Sequence, residues 1–149
     1  MSEQPIWILE DSPEDLEVLE RAFRKVEFEV PLLHYRSARE ALMNLQELSK
    51  LPRQNAEYFP ALILLDLNMP DMDGFHFIQK IKENSLLKTI PVIVLSTSHS
   101  QTDVAKSYEF GANSYVPKPE DMKGYVQMAD VLKSYWFSLS LLPLDFVYS

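Results

Sequence analysis

The sequence contains no cysteine, so disulfides, thiolate nucleophiles and thiolate metal sites are excluded, and a reducing compartment such as the cytoplasm is expected. Only three glycines occur, at positions 74, 111 and 124, and they cannot form a G-x-G-x-x-G motif or a P-loop. The chain is therefore not expected to hold a nucleotide by itself, which argues against a kinase or an NTPase. No apolar run is long enough to cross a bilayer, and residues 1–5 are too short and polar for a signal peptide, so we expect no membrane partner.

Positive charge is also scarce. The chain has 14 Lys and Arg against 22 Asp and Glu, which gives a formal net charge of -8. This balance argues against a nucleic-acid partner, and its simplest explanation is solubility. The 149 residues, of which 46% are hydrophobic, are enough for one globular domain with an ordinary core.

The stretch from residue 61 to residue 70 is the most informative part of the sequence. Residues 61–65 form a continuous apolar run, which is typical of a strand buried on both faces of a parallel sheet. Asp66 follows directly, and the turn residues after it, including Asn68 and Pro70, prevent the strand from continuing. Ligands of open α/β sheets bind beyond the carboxyl ends of the strands, so we expect Asp66 to lie at such a site.

Apolar runs and helical patterns alternate along the chain. The predicted strands are residues 5–10, 30–36, 61–66, 90–95 and 114–117. The predicted helices are residues 13–27, 37–48, 75–82, 101–110 and 121–138, with Ser12 and Ser37 as N-terminal caps and Gly111 as a left-handed cap. This α/β pattern predicts a five-stranded parallel sheet, doubly wound, with helices on both faces and right-handed crossovers.

Polar side chains follow four of the predicted strands. Glu10 ends the first strand and Asp11 follows it, Asp66 ends the third strand, and Ser96 and Lys118 follow the fourth and fifth strands. Two like charges about 4 Å apart repel each other by about 4 kcal/mol at a surface-like dielectric, so three carboxylates in one crevice need a positive partner. Lys118 supplies one charge, and Mg²⁺, which prefers oxygen ligands, suits the remainder.

This set of groups fits one kind of chemistry. A carboxylate can act as a nucleophile and form an aspartyl-phosphate. Phosphoryl transfer needs a metal, a positive clamp and hydrogen-bond donors for the phosphoryl oxygens, and Mg²⁺, Lys118 and the hydroxyl of Ser96 can fill these roles around Asp66. No P-loop is needed if the phosphoryl group arrives already activated on another protein.

The acid pair, the Asp, the Ser and the Lys-Pro after strands one, three, four and five resemble the receiver domain of two-component response regulators. The resemblance covers residues 4–139 and implies the flavodoxin-like (βα)5 fold with strand order 2-1-3-4-5. It also implies that a histidine kinase is the partner and that Asp66 accepts the phosphoryl group. Such a chain is a signalling protein that catalyses only its own phosphotransfer and autodephosphorylation, and it is not otherwise an enzyme.

The resemblance also assigns roles to other residues. Ser96 and Lys118 would contact the phosphoryl oxygens, and Tyr115 would change rotamer together with Ser96 as a switch. The Lys118–Pro119 peptide is often cis in the family. The implied magnesium ligands are Glu10, Asp11, Asp66 and the backbone carbonyl of Asn68.

A narrower resemblance is to the small response regulators of cyanobacterial phytochromes. It is carried by Ser96-Thr97-Ser98, by the long loop at residues 51–60 and by the ending at residues 135–143. The apolar C-terminal tail comprises residues 140–149, and beyond Pro143 it departs from the shorter tails of those proteins, which leaves its role open. No output domain follows the fifth helix, so the chain is expected to signal by binding.

Two other function classes remain open. A phosphatase of the haloacid-dehalogenase kind also uses an Asp nucleophile after a strand, but it needs an acid two residues later, where this chain has Asn68. A pseudo-receiver would be a binding module that is never phosphorylated. Such chains usually lose a site acid or the lysine, and this chain keeps all of them.

The fifth helix carries two apolar stripes. The first stripe is expected to face the sheet and comprises Met122, Tyr125, Val126, Ala129, Leu132 and Trp136. The second stripe comprises Met128, Val131, Tyr135 and Leu139. Because the sheet can cover only one stripe, we expect a homodimer formed through helix 4, strand 5, helix 5 and the tail. The alternative is that the tail folds back over its own domain.

Overall fold

The computed structural model of the protein describes residues 4–52 and 58–143. Its five strands are β1 (Ile6–Leu9), β2 (Leu32–Tyr35), β3 (Leu62–Leu65), β4 (Val92–Ser96) and β5 (Ser114–Pro117). Its α-helices are α1 (Pro13–Lys25), α2 (Ala38–Leu48), α3 (Gly74–Glu83), α4 (Gln101–Phe110) and α5 (Met122–Ser134). A short 3₁₀ turn, Leu87–Thr89, precedes β4, and a π-helical turn, Tyr135–Leu139, follows α5.

The strands form one sheet in the order β2-β1-β3-β4-β5, and every neighbouring pair is parallel. This confirms the predicted strand order. Leu9 at the end of β1 is opposite Tyr35 in β2 and Leu65 in β3, so these strands end at the same level. The residues that follow β1 and β3 are therefore brought to one edge of the sheet.

Successive side chains of a strand pack into two different apolar cores, one on each face of the sheet. Ile6 and Ile8 pack on the side of α1 and α5, whereas Trp7 and Leu9 pack on the side of α2 and α3. All six residues of the first α5 stripe pack against the first of these cores, as predicted. Because both faces are covered, β1, β3 and β4 are apolar along nearly their whole length.

Two helix ends differ from the prediction. α1 ends at Lys25 because Glu27 adopts a left-handed conformation with φ of 54°, and the N–H of Phe28 donates to the carbonyl of Phe23 at 3.0 Å. The regular part of α5 ends at Ser134, and the next turn is wider, because the N–H of Ser140 donates to the carbonyl of Tyr135 at 2.7 Å.

Other helix boundaries agree with the prediction. α4 spans the predicted residues, and Gly111 ends it with φ of 114°. In the described ranges, no helix combines the length and the apolar character that a membrane span requires. Part of the long loop at residues 51–60 and the tail beyond residue 143 lie outside the described residues.

Candidate functional site

The end of β1 and the end of β3 bring three carboxylates together. The N–H of Glu10 donates to the carbonyl of Tyr35, and the N–H of Asp66 donates to the carbonyl of Leu9, each at 3.0 Å, so the sheet pairing fixes both backbones. Ligand oxygens of Glu10, Asp11 and Asp66 lie within 4.8 Å of one another. Glu10 and Asp66 are buried and Asp11 is half-buried, so the acids line a crevice at the sheet edge.

The donor set of this cluster fits a hard divalent cation. Carboxylate oxygens are the ligands that Mg²⁺ prefers, and Mg²⁺ needs only one or two of them together with water. Asn68 is exposed on the loop after β3, and its N–H donates to Oδ1 of Asp66 at 3.0 Å. The predicted carboxylate ligands of magnesium, which lie at the ends of β1 and β3, are thus adjacent. That the Asn68 carbonyl also binds the ion stays a prediction.

Lys118 follows β5 and contacts three carboxylates. Its Nζ lies 2.8 Å from Oε1 of Glu10, 2.7 Å from Oδ2 of Asp15 and 3.3 Å from Oδ2 of Asp66. Burial alone would lower the pKa of the Lys118 ammonium, but the hydrogen bonds to Asp15 and Glu10 and the charge of Asp66 raise this pKa above its usual value. The ammonium therefore stays charged and offsets part of the negative charge of the cluster.

Glu10 is the most perturbed acid of the site. Burial raises the pKa of the Glu10 carboxyl to about 7, and the neighbouring Asp66 adds to the rise, while the hydrogen bond to Lys118 opposes it. The N–H of Ser12 donates to Oε2 of Glu10 at 3.1 Å, which holds the second oxygen of the carboxylate. Further positive charge near Glu10 would stabilise the ionised form of its carboxyl and lower this pKa.

Ser96 ends β4, which lies beside β3, and Tyr115 lies within β5, the next strand of the sheet. Ser96 is fully buried at the end of β4, its Oγ accepts from the N–H of Ser98 at 3.1 Å, and its carbonyl accepts from the N–H of Lys118 at 2.8 Å. The hydroxyl of Tyr115 donates to the carbonyl of Ser98 at 2.8 Å. Ser98 therefore joins the predicted switch tyrosine to the predicted phosphate-binding serine.

One expectation about this loop is wrong. The Lys118–Pro119 peptide, like every other peptide bond of the described residues, is trans rather than cis. Lys118 nonetheless reaches the acids, because its backbone is fixed by the hydrogen bond to Ser96 and its side chain spans the remaining distance.

Sequence reasoning missed two residues that contact the site. Asp15 lies in the first turn of α1, where helices favour acids in any case, and nothing in the sequence pairs it with Lys118. Nothing in the sequence marks His34 as part of the site, but its Nε2 donates to the carbonyl of Glu10 at 2.7 Å between the paired strands β1 and β2. Both contacts depend on the packing of distant segments, which no local pattern reports.

Comparisons with known proteins agree with this geometry. The model of the response regulator receiver domain family matches residues 6–130. Response regulator Rcp1 of Synechocystis sp. (strain ATCC 27184 / PCC 6803 / Kazusa) is 36% identical over 93% of this chain and 92% of its own length.

Two solved structures are similar over nearly the whole chain. The Mn²⁺-bound form of Rcp1 has a TM-score of 0.79 at 35% identity and covers 94% of this chain and 99% of its own. The phosphorylated cyanobacterial phytochrome response regulator RcpA has a TM-score of 0.82 at 30% identity and covers 95% of this chain and 99% of its own. From its fold, its strand-edge site and these similarities, the chain belongs to the response regulator receiver domain family of two-component systems.

Proposed function

We propose that the carboxylate of Asp66 accepts a phosphoryl group from a histidine kinase. The observation that carries this proposal is the position of Asp66, which is buried at the end of β3, beside Glu10 and Asp11 and 3.3 Å from the ammonium nitrogen of Lys118. The backbone of this carboxylate is fixed by the sheet pairing, and the residue is only 7% exposed. The phosphoryl oxygens that arrive there would meet positive charge at Lys118.

The transfer is a displacement at phosphorus. An oxygen of Asp66 forms the new O–P bond while the N–P bond of the kinase phosphohistidine breaks and its electron pair stays on the imidazole. Bound Mg²⁺ would supply charge neutralisation for the phosphoryl oxygens. Glu10, Asp11, Asp66 and the Asn68 carbonyl are the proposed ligands of that ion, and the hydroxyl of Ser96 and the ammonium of Lys118 are the proposed donors to the phosphoryl oxygens.

A phytochrome kinase is the proposed class of partner. Support comes from the similarity to RcpA, which is a cyanobacterial phytochrome response regulator, and to Rcp1. The proposed output is a change of the surface formed by α4, β5 and α5. The hydrogen bond from Tyr115 to Ser98 supports this, because it connects β5 to the loop that follows Ser96.

We also propose that the chain forms a homodimer through α4, β5, α5 and the tail. Val131, Tyr135 and Leu139 of the second α5 stripe are exposed, as is Leu141, whereas Met128 packs against the core. Four exposed, large apolar side chains of this kind are suited to an interface between two copies of the chain. Leu142 is buried, so the start of the tail is already in contact with its own domain.

Labelling with acetyl phosphate and Mg²⁺ tests the phosphoacceptor. The wild type should gain the mass of one phosphoryl group, and Asp66→Asn should gain none. Asp73→Asn is the matched control, because Asp73 is an exposed acid of the same loop and Asn also caps a helix. Labelling should disappear in EDTA, because the carboxylates then lose their counter-charge.

Labelling, together with a phosphatase assay, separates the other function classes. A wild type that takes no label while binding a partner would be a pseudo-receiver. Continuous turnover of a chromogenic phosphate ester would indicate a haloacid-dehalogenase-like phosphatase, for which Asn68 offers no acid. Equal labelling of the wild type and Asp66→Asn would refute the proposed phosphoacceptor.

A further inference from the structure

The three carboxylate partners of Lys118 differ in distance and in exposure. Asp15 makes the shortest contact at 2.7 Å, and Asp66 makes the longest at 3.3 Å. The side chains of Glu10 and Asp66 are 5% and 8% exposed, whereas that of Asp15 is 38% exposed. The ammonium thus lies nearest to the acid that is open to water and farthest from the proposed phosphoacceptor.

Asp15 also differs from the other two acids in what it can bind. Among the described residues, the acidic cluster that could hold a metal comprises Glu10, Asp11 and Asp66, and Asp15 is outside it. Asp15 lies in the first turn of α1, where its N–H donates to the capping Oγ of Ser12 at 3.2 Å. Its backbone is therefore fixed, and its carboxylate is directed at Lys118 from the helix.

We propose that Asp15 is a positioning residue that holds Lys118 away from the phosphoacceptor before phosphorylation and releases it once a phosphoryl group is on Asp66. This inference rests on the proposed function of Asp66. A phosphoryl group carries more negative charge than a carboxylate and competes for the same ammonium. Asp15 can give up its contact because its carboxylate is 38% exposed and regains water, whereas the buried Glu10 carboxylate would lose its counter-charge without regaining water and would keep only the N–H of Ser12.

The proposal fixes the direction of the effect. Asp15 opposes phosphorylation by occupying Lys118, and its negative charge also repels the incoming phosphoryl oxygens, since Asp15 and Asp66 contact the same nitrogen atom. Both effects disfavour phosphorylation of Asp66. Asp15 thereby lowers the phosphorylated fraction and keeps the resting state of the switch well populated.

The test is the rate of labelling by acetyl phosphate and the affinity for beryllofluoride, which imitates the phosphoryl group. Asp15→Asn removes the charge at nearly constant size and should raise both by about tenfold, which corresponds to one lost charge-assisted contact. Asp15→Glu keeps the charge and should remain within about twofold of the wild type. Glu14→Gln is the matched control, because Glu14 is an exposed acid in the same helical turn.

A double variant shows whether Asp15 acts through the lysine. In a Lys118→Ala background the gain from Asp15→Asn should shrink, because no ammonium is left to release. A gain that keeps its full size there would mean direct repulsion and would overturn the proposal, as would Asp15→Asn labelling at or below the wild-type rate. If the wild type takes no label, the proposed function is refuted together with this inference. If the wild type is labelled and Asp15→Asn is labelled at the same rate, only this inference is refuted.

Discussion

The hydroxyl of Ser37 donates a hydrogen bond of 2.5 Å to the carboxylate of Asp71. The same carboxylate accepts from the N–H groups of Ala38 and Arg39 at 3.2 and 3.1 Å. Asp71 belongs to the loop after β3, so this loop caps the first turn of α2 in addition to the helix's own cap. The loop that follows Asp66 is thereby attached to α2, the helix after β2. In the sheet, β2 is at one edge, and β5, which precedes Lys118, is at the other.

Replacing Asp71 should destabilise the fold. Asp71→Ala removes an acceptor from three donors at a helix N-terminus, and we expect a loss of about 1–2 kcal/mol in the free energy of unfolding. Urea unfolding at neutral pH measures it. Glu109→Ala on the exposed face of α4 is the control and should change the stability by less than about 0.5 kcal/mol. Equal stability of the two variants would show that the Asp71 contacts contribute nothing.

Magnesium should stabilise the folded protein. A ligand that binds only the native state adds about 2.7 kcal/mol at a concentration of 100 times its dissociation constant. The melting temperature should therefore rise on replacing EDTA with millimolar MgCl₂. Asp11→Asn removes one carboxylate of the cluster and should lose most of the rise, while Glu14→Gln should keep it. An Asp11→Asn protein that gains as much as the wild type would contradict the proposed ligand set.

The metal-free protein should lose stability as the pH rises through the titration of Glu10. The pKa of this carboxyl is about 7 in the folded protein and 4.5 in the absence of structure. In this window the folded state keeps a proton that the unfolded chain has lost, so the stability contributed by Glu10 is present below pH 4.5 and is lost as the pH passes about 7.

Glu10→Gln does not titrate and should avoid this loss. Its stability relative to the wild type should grow by about 2–3 kcal/mol between pH 4.5 and about pH 8, measured by urea unfolding in EDTA. Glu47→Gln, at an exposed ion pair with Lys50, is the control and should show a constant difference. A difference for Glu10→Gln that is equally flat would mean that burial does not perturb this carboxyl.

The hydroxyl of Tyr115 should transmit the phosphorylation signal to α4. Tyr115→Phe removes the hydrogen bond to the Ser98 carbonyl, which is worth about 1 kcal/mol. We expect the amide shifts of residues 101–110 on addition of beryllofluoride to be clearly smaller in Tyr115→Phe than in the wild type. Tyr58→Phe changes an exposed tyrosine in the same way and should leave them unaltered. Identical responses of all three proteins would exclude the Tyr115 route.

The sheet and the acidic cluster could be predicted because their signals are local. A buried parallel strand is apolar along its length, and a turn residue marks its end, so Asp66 and Glu10 could be assigned to strand ends without knowledge of the packing. Parallel pairing then requires these ends to share one edge. The cluster follows from two local patterns and one rule of topology.

The remaining features depend on contacts between distant segments. Asp15 and Lys118 are separated by 103 residues, and an acid in the first turn of a helix is already explained by the helix dipole. Glu27 follows α1 in a left-handed conformation that normally favours Gly or Asn, so no residue type at this position indicates the end of the helix. A π-helical turn after α5 continues the same apolar pattern as an α-helix, so the two could not be distinguished.

The exposed apolar residues at the end of α5 should hold two copies of the chain together. Val131 is 57% exposed, Leu139 is 75% exposed and Leu141 is 74% exposed, and a standard interface needs about 800 Å² on each partner. A self-complementary patch favours a two-fold dimer. Light scattering should therefore give the mass of a dimer for the full chain and that of a monomer for a truncation after Ser138.

A point substitution distinguishes the interface from a general effect of truncation. Val131→Glu places a charge among the exposed apolar residues and should also yield a monomer, because burying an unpaired carboxylate at an interface is costly. Met43→Glu is the matched control, since Met43 is 59% exposed on α2, away from α4, β5 and α5 in the fold, and this variant should remain dimeric. A full chain that stays monomeric at tens of micromolar, with and without beryllofluoride, would refute the dimer and favour a tail that covers the patch within its own domain.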